Sequence, residues 1–300
     1  MEQKLLRLRD GRTLSYFLIG NQQNRPIVYL HGFGSSSPIM FEMEEELTRR
    51  NLYLIAPDRP GYGKSSLFSG YDLHDYAKDL LELADSLKLS AFSIAGWSTG
   101  GLFAQAFANR YPSKIRSLTL IGSTLPIGLK RVKSILPISW KCVNWLIEKA
   151  PAFSSKAAKL ISRWIARKLK KRLSLSVSDA SGHPIPPASE VKELLNQAVK
   201  DVSRLKGRHL YDELSAVCSA VLEYPEDSYF PVTIWQGEKD LFSTHAASSF
   251  LKNEYKRANL FLIPHKGHFM ILDHRIKILD HLEEGMNRFG RLTKKKSRVD

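Results

Sequence analysis

Residues 91–101 read Ala91-Phe92-Ser93-Ile94-Ala95-Gly96-Trp97-Ser98-Thr99-Gly100-Gly101, and this stretch decides the fold. Phe92, Ile94 and Ala95 make a short apolar run of buried-strand type. Beyond Gly101, Leu102, Phe103, Ala106 and Phe107 recur at helical spacing until Tyr111-Pro112 stops them. Ser98 therefore sits at a strand-to-helix corner, inside Gly96-x-Ser98-x-Gly100. A turn that sharp needs strained backbone at its apex, and the two glycines let neighbouring backbones pass closely. The corner lifts the hydroxyl out of the sheet. Amides at the N-terminus of the following helix can then meet a developing oxyanion.

Two later segments have the same strand-then-loop form. Val232-Thr233-Ile234-Trp235 runs into Gln236-Gly237-Glu238-Lys239-Asp240, and Leu260-Phe261-Leu262-Ile263 runs into Pro264-His265-Lys266-Gly267-His268. Asp240 and His268 each fall just past a strand's carboxyl end, where open α/β sheets place their sites. Asp240 also fits a turn or helix-capping residue, since Ser243 and Thr244 follow. His265 competes with His268 in one loop, and Gly267 favours His268 by letting the chain swing its ring. Upstream, Ile27-Val28-Tyr29-Leu30 leads into the glycine-bearing loop His31-Gly32-Phe33-Gly34. The order serine, acid, histidine is the one this strand-to-helix serine motif requires.

On these segments the chain resembles the α/β-hydrolase family, of the cap-bearing esterase and lipase type. Asp58-Arg59-Pro60-Gly61-Tyr62-Gly63-Lys64-Ser65 adds to the match, which runs from residue 27 to residue 268 around a central insertion. The resemblance implies Ser98 as nucleophile, His268 as general base and Asp240 as the residue that orients and charge-balances the histidine. It implies an oxyanion hole made by the backbone amides of Phe33 and Thr99. A serine hydroxyl is a weak nucleophile at neutral pH and needs an imidazole to take its proton, which a buried carboxylate holds in the right tautomer. The Asp58–Ser65 segment reads as a structural turn beneath the site, and His31 as a brace of the oxyanion loop. A serine at position 98 argues against the dehalogenases and epoxide hydrolases of the fold, which use an aspartate there. The expected reaction is cleavage of a carboxylic ester, with an apolar acyl or alkyl part, through an acyl-enzyme. Carbon–carbon bond hydrolysis, thioester hydrolysis and acyl transfer on the same residues remain alternatives, as does a non-catalytic binding protein of this fold.

Eight strands are expected, at 4–9, 13–19, 27–30, 52–56, 92–95, 118–121, 232–235 and 260–263. Asp10-Gly11 makes the first pair a hairpin. The clearest helix carries Leu73, Tyr76, Ala77, Leu80, Leu81, Ala84 and Leu87, opened by Asp72 with Asp75 three residues on. A hairpin followed by alternating strands and helices predicts a doubly wound, mostly parallel α/β sheet. Strand signals vanish between 123 and 231, where prolines separate helical runs. The expected organisation is a catalytic domain of residues 1–123 and 231–290, a helical cap at 124–230 and a basic tail at 291–300.

The 300 residues, 43% hydrophobic, suffice for one α/β core with an insertion. No apolar run approaches the roughly twenty residues that span a bilayer, and residues 1–10 lack a signal peptide's apolar core. With only Cys142 and Cys218, both read as free thiols, this points to a cytoplasmic enzyme. No metal-ligand spacing occurs among the nine histidines, and no cofactor is implied. The net charge of +15 is local: residues 130–172 hold thirteen Lys or Arg against Glu148 alone, a net of +12. Within it, Ala157, Leu160, Ile161, Trp164, Ile165 and Leu169 line one helical face. That face either packs on the catalytic domain or docks on anionic lipid as an interfacial helix. No nucleic-acid motif accompanies the charge, and nothing in the sequence sets the oligomeric state.

Overall fold

Adjacent strand residues are buried on opposite sides of one sheet. Tyr16, Leu18, Val28 and Leu30 join one apolar cluster, while Phe17, Ile19, Ile27 and Tyr29 join the other. That is the signature of a sheet covered on both faces. The computed structural model describes residues 2–34, 43–151, 207–225 and 230–296, with positions 153, 156 and 160 and the pairs 177–178 and 184–185.

The sheet strands are β1 (Glu2–Arg7), β2 (Thr13–Ile19), β3 (Arg25–Leu30), β4 (Leu52–Pro57), β5 (Phe92–Trp97), β6 (Ile115–Ile121), β7 (Val232–Gly237) and β8 (Ala258–Ile263). Their spatial order is β1-β2-β4-β3-β5-β6-β7-β8. β2 runs antiparallel to β1 and β4, and the remaining neighbours are parallel. All eight expected strands are present. β1 ends two residues early, because Gly11 N donates to Leu8 O and Leu8 N to Arg12 O, which closes the turn there.

The helices are α1 (Glu44–Arg49), α2 (Leu73–Ser86), α3 (Thr99–Arg110), α4 (Ile138–Lys149), α5 (Arg208–Ser219), α6 (His245–Glu254) and α7 (Met270–Lys296). α2 opens with the expected capping box, in which Asp75 N donates to Asp72 and Asp72 N to Asp75. Its buried face is Leu73, Tyr76, Ala77, Leu80, Leu83 and Ala84. Leu83 takes the place expected for Leu81, and Leu81 and Leu87 are only partly buried. Residues of α2 and α3 join the first apolar cluster, and residues of α1 and α7 the second.

In the expected cap, α4 and α5 pack against each other. The insertion is not free of strands: Val177 pairs with Ile185 and Ser178 with Pro184 in a two-residue antiparallel ladder. A ladder of two residues is too short to show as periodicity. Of the amphipathic face at 157–169, Leu160 is described and exposed, and the other five residues lie outside the described ones. α7 stays helical to Lys296, into the segment read as a basic tail. Cys142 and Cys218 are free, the first exposed and the second buried, and burial pushes the Cys218 thiol up to about 12. Among the described residues no helix is long and apolar enough to cross a membrane, and no group of His, Cys, Asp and Glu could hold a metal ion.

Candidate active site

The site lies at the carboxyl ends of β3, β5, β7 and β8. Between β5 and α3, Ser98 takes φ 56° and ψ −123°, a conformation that non-glycine residues rarely adopt. The corner can close this tightly because a Cβ on Gly96 would lie 2.3 Å from Gly100 O, and one on Gly100 2.2 Å from Leu30 O. Ser98 N donates to Ile121 O, and Ser98 O accepts from Gly101 N and Thr124 N. The strained residue is held by the strand beside it and by its own helix.

Three sequence-designated residues meet in one line. Ser98 Oγ lies 2.9 Å from His268 Nε2, and His268 Nδ1 lies 2.7 Å from Asp240 Oδ2. Asp240 is fully buried at its carboxylate and the imidazole is a tenth exposed. The other carboxylate oxygen, Oδ1, accepts from Phe242 N at 2.9 Å and Ser243 N at 3.0 Å. Asp240 is thus both a turn cap and the partner of the histidine, one oxygen serving each. His265 is elsewhere: its side chain is 82% exposed, with its backbone N donating to Glu238. The imidazole of His268 has aromatic neighbours, with ring centroids 5.4 Å away for Trp97 and 5.2 Å for Phe242.

Thr99 is the first residue of α3, so its amide is among the helix's N-terminal donors that lack an intrahelical partner. Phe33 lies in the turn after β3. His31 braces this turn. Its Nε2 accepts from Arg59 N at 3.3 Å, which leaves Nδ1 as the protonated nitrogen, donating to Gly32 O at 3.0 Å. Burial, reinforced by the Arg59 charge, holds His31 well below the usual imidazole range and so keeps it neutral. Asp58 accepts from Ser15 Oγ at 2.5 Å, tying the Asp58–Ser65 turn to β2.

Sequence reasoning missed several residues. Arg59 and Glu213 form an ion pair, 2.9 Å apart, with both side chains wholly buried. Trp97 Nε1 donates to His268 O at 3.0 Å. Trp140 of α4 donates through Nε1 to Phe242 O at 3.1 Å, tying the insertion to the loop that carries Asp240. A cleft between that loop and α4 is lined by Leu125, Leu136, Trp140, Phe242 and Ala247. Only Arg59 had a visible signal, a charged residue inside a Pro-Gly-rich turn.

A strained serine on a strand-to-helix corner, beside a histidine and a carboxylate at strand ends, defines the class. A family model of the alpha/beta hydrolase fold matches residues 25–275, and the chain belongs to that family. It is similar to a pimeloyl-(acyl-carrier protein) methyl ester esterase from Chromobacterium violaceum, 26% identical over 264 residues, covering 87% of this chain and 94% of that protein. It is similar over a shorter stretch to lipase 1 of Psychrobacter immobilis, 32% identical over 126 residues, covering 41% of this chain and 39% of that one. Among solved structures, an esterase from Exiguobacterium antarcticum shares the fold with a TM-score of 0.67 at 21% identity, covering 94% of this chain and 98% of that one.

Proposed function

We propose that this chain is a serine hydrolase that cleaves a carboxylic ester through an acyl-enzyme. The observation that carries the reading is the hydrogen-bonded line from Ser98 Oγ through His268 to Asp240 Oδ2. His268 Nε2 takes the Ser98 proton as Oγ attacks the ester carbonyl carbon. The resulting oxyanion accepts from the amides of Phe33 and Thr99, and Asp240 balances the imidazolium through Nδ1–H. The imidazolium then returns the proton to the departing alkoxide, leaving an acyl group on Ser98. Water repeats the sequence and releases the acid.

An ester with an apolar acyl or alkyl part is the substrate class we favour. The names of two relatives, a methyl ester esterase and a lipase, point the same way. The test is a series of p-nitrophenyl esters from acetate to palmitate, run beside an acyl thioester. Ester turnover that falls by several orders of magnitude in both Ser98→Ala and His268→Ala, with His265→Ala near wild type, supports the reading. A dead His265→Ala variant would overturn the base assignment, and preference for the thioester would overturn the substrate class.

A further inference from the structure

Glu213 lies on α5, 115 residues beyond Ser98, yet its carboxylate is buried at the site. Its Oε1 accepts from Thr99 Oγ1 at 2.6 Å and from Arg59 Nη2 at 2.9 Å, and its Oε2 accepts from Tyr62 OH. Each donor leads onward to a proposed oxyanion donor. Arg59 donates to Gly32 O at 2.9 Å and to His31 O, and Tyr62 OH accepts from Gly34 N at 3.2 Å.

The geometry of the peptide bond makes this specific. Gly32 C=O and Phe33 N–H belong to one planar trans unit and point in opposite directions. Holding Gly32 O with Arg59 and His31 therefore aims the Phe33 amide the other way. Fixing Gly34 N with Tyr62 pins the next peptide along. On the other side, the bond from Thr99 Oγ1 locks the side chain of the residue whose amide is the second donor. All five groups (His31, Arg59, Tyr62, Thr99 and Glu213) are buried, so water does not compete for these bonds.

We infer that Glu213 is a positioning residue: one carboxylate on α5 sets the direction of the Phe33 amide through Arg59 and holds the side chain of Thr99, the residue that supplies the second oxyanion donor. This rests on the proposed roles of Ser98, Phe33 and Thr99. It makes the seating of the insertion a condition for stabilising the tetrahedral intermediate, not only for admitting substrate.

The test compares Glu213→Gln, Thr99→Val and Tyr62→Phe, each normalised to reactive Ser98 by titration with a fluorophosphonate. The substrate is p-nitrophenyl butyrate, and the inhibitor an alkyl trifluoromethyl ketone, whose adduct carries the oxyanion. The inference expects kcat to fall at least thirtyfold in Glu213→Gln, with KM within about threefold and the inhibition constant rising in parallel with the loss of kcat. Thr99→Val should show the same split more weakly, and Thr99→Ser, which restores the hydroxyl, should recover most of that loss. A merely structural role would lower the titratable fraction and Tm while leaving normalised kcat and the inhibition constant in place, and that result overturns the inference. Should Glu213→Gln fail to fold, Thr99→Val and Tyr62→Phe carry the test, because both keep the Arg59–Glu213 pair. If Ser98→Ala keeps ester turnover, the functional reading falls and this inference with it. If Ser98→Ala is dead but the three variants keep kcat, only this inference falls.

Discussion

Trp97 and His268 are joined twice: the indole Nε1 donates to the His268 carbonyl at 3.0 Å, and the two rings lie 5.4 Å apart. The residue before the strained serine thus holds the loop that carries the histidine, across 171 positions of sequence. This accounts for a tryptophan at the variable position of Gly96-x-Ser98. Replacing it with Phe keeps an aromatic face but removes the donor. Displacing catalytic groups by about 1 Å can cost up to roughly a hundredfold in rate. Trp97→Phe should therefore lower kcat by about tenfold with little change in KM. Steady-state kinetics on a short p-nitrophenyl ester reads this directly, and an unchanged kcat would show that the loop is held without the indole.

The buried Arg59–Glu213 pair makes a separate statement about stability. Removing one partner strands a charge in the interior, at a cost of about 3–5 kcal/mol, whereas replacing both by apolar groups is often neutral. Arg59→Met should therefore shift the urea midpoint strongly downward, and Arg59→Met with Glu213→Leu should recover most of that shift at unchanged m-value. Activity should stay low in the double variant, since His31 alone then holds Gly32 O. Equal losses of stability in the single and double variants would mean that packing, not charge, dominates at this position.

What the sequence discloses and what it hides divide along chain distance. The β5 corner, the eight strands and the α2 capping box are written in residues within a few positions of one another, so spacing and period reveal them. Ser98, Asp240 and His268 are far apart, but each is marked locally by a strand end and a neighbouring glycine. Glu213 has no such mark. Its partners Arg59, Tyr62 and Thr99 lie 154, 151 and 114 positions away. On α5 it follows another acid, Asp212, and nothing in the spacing singles it out. Arg12 is similar: it lies in the turn after β1 and grips the buried Asp79 of α2 with bonds of 2.6 and 2.8 Å. A tertiary pairing of polar groups leaves no periodicity, and only the folded chain brings the two halves together.

His31 ties stability to pH. Its folded-state pKa is held well below the usual value by burial and by Arg59, while in the unfolded chain it titrates near 6.5. Above about pH 6.5 both states are neutral and the group contributes no pH dependence. Below it the unfolded chain binds a proton that the folded chain refuses, so stability falls as pH drops, by up to about 1.4 kcal/mol per pH unit from this one group. Urea unfolding at pH 7.5 and 5.5 should show a smaller acid loss for His31→Gln than for the wild type. Equal losses would place the acid sensitivity in other groups.

The basic stretch at 130–172 is expected to draw the protein toward anionic surfaces. On α4, Ile138, Lys141, Cys142, Trp145 and Lys149 recur at helical spacing and are exposed, Ile138 by 76% and Trp145 by 60%, while Asn144 on the other side is buried. An exposed aromatic and aliphatic stripe flanked by lysines is the composition of a helix that rests on an anionic lipid surface. Each lysine near such a surface is worth about 1 kcal/mol, and the attraction weakens as salt shortens the screening length. We therefore expect the protein to co-sediment with phosphatidylserine vesicles at low salt and to be released at high salt. Trp145→Ser combined with Lys141→Gln and Lys149→Gln should weaken that binding severalfold. The line from Ser98 to Asp240 involves none of these side chains, so turnover of p-nitrophenyl acetate in solution should survive the triple change. If the wild type ignores phosphatidylserine vesicles at low salt, the stripe does not dock on lipid.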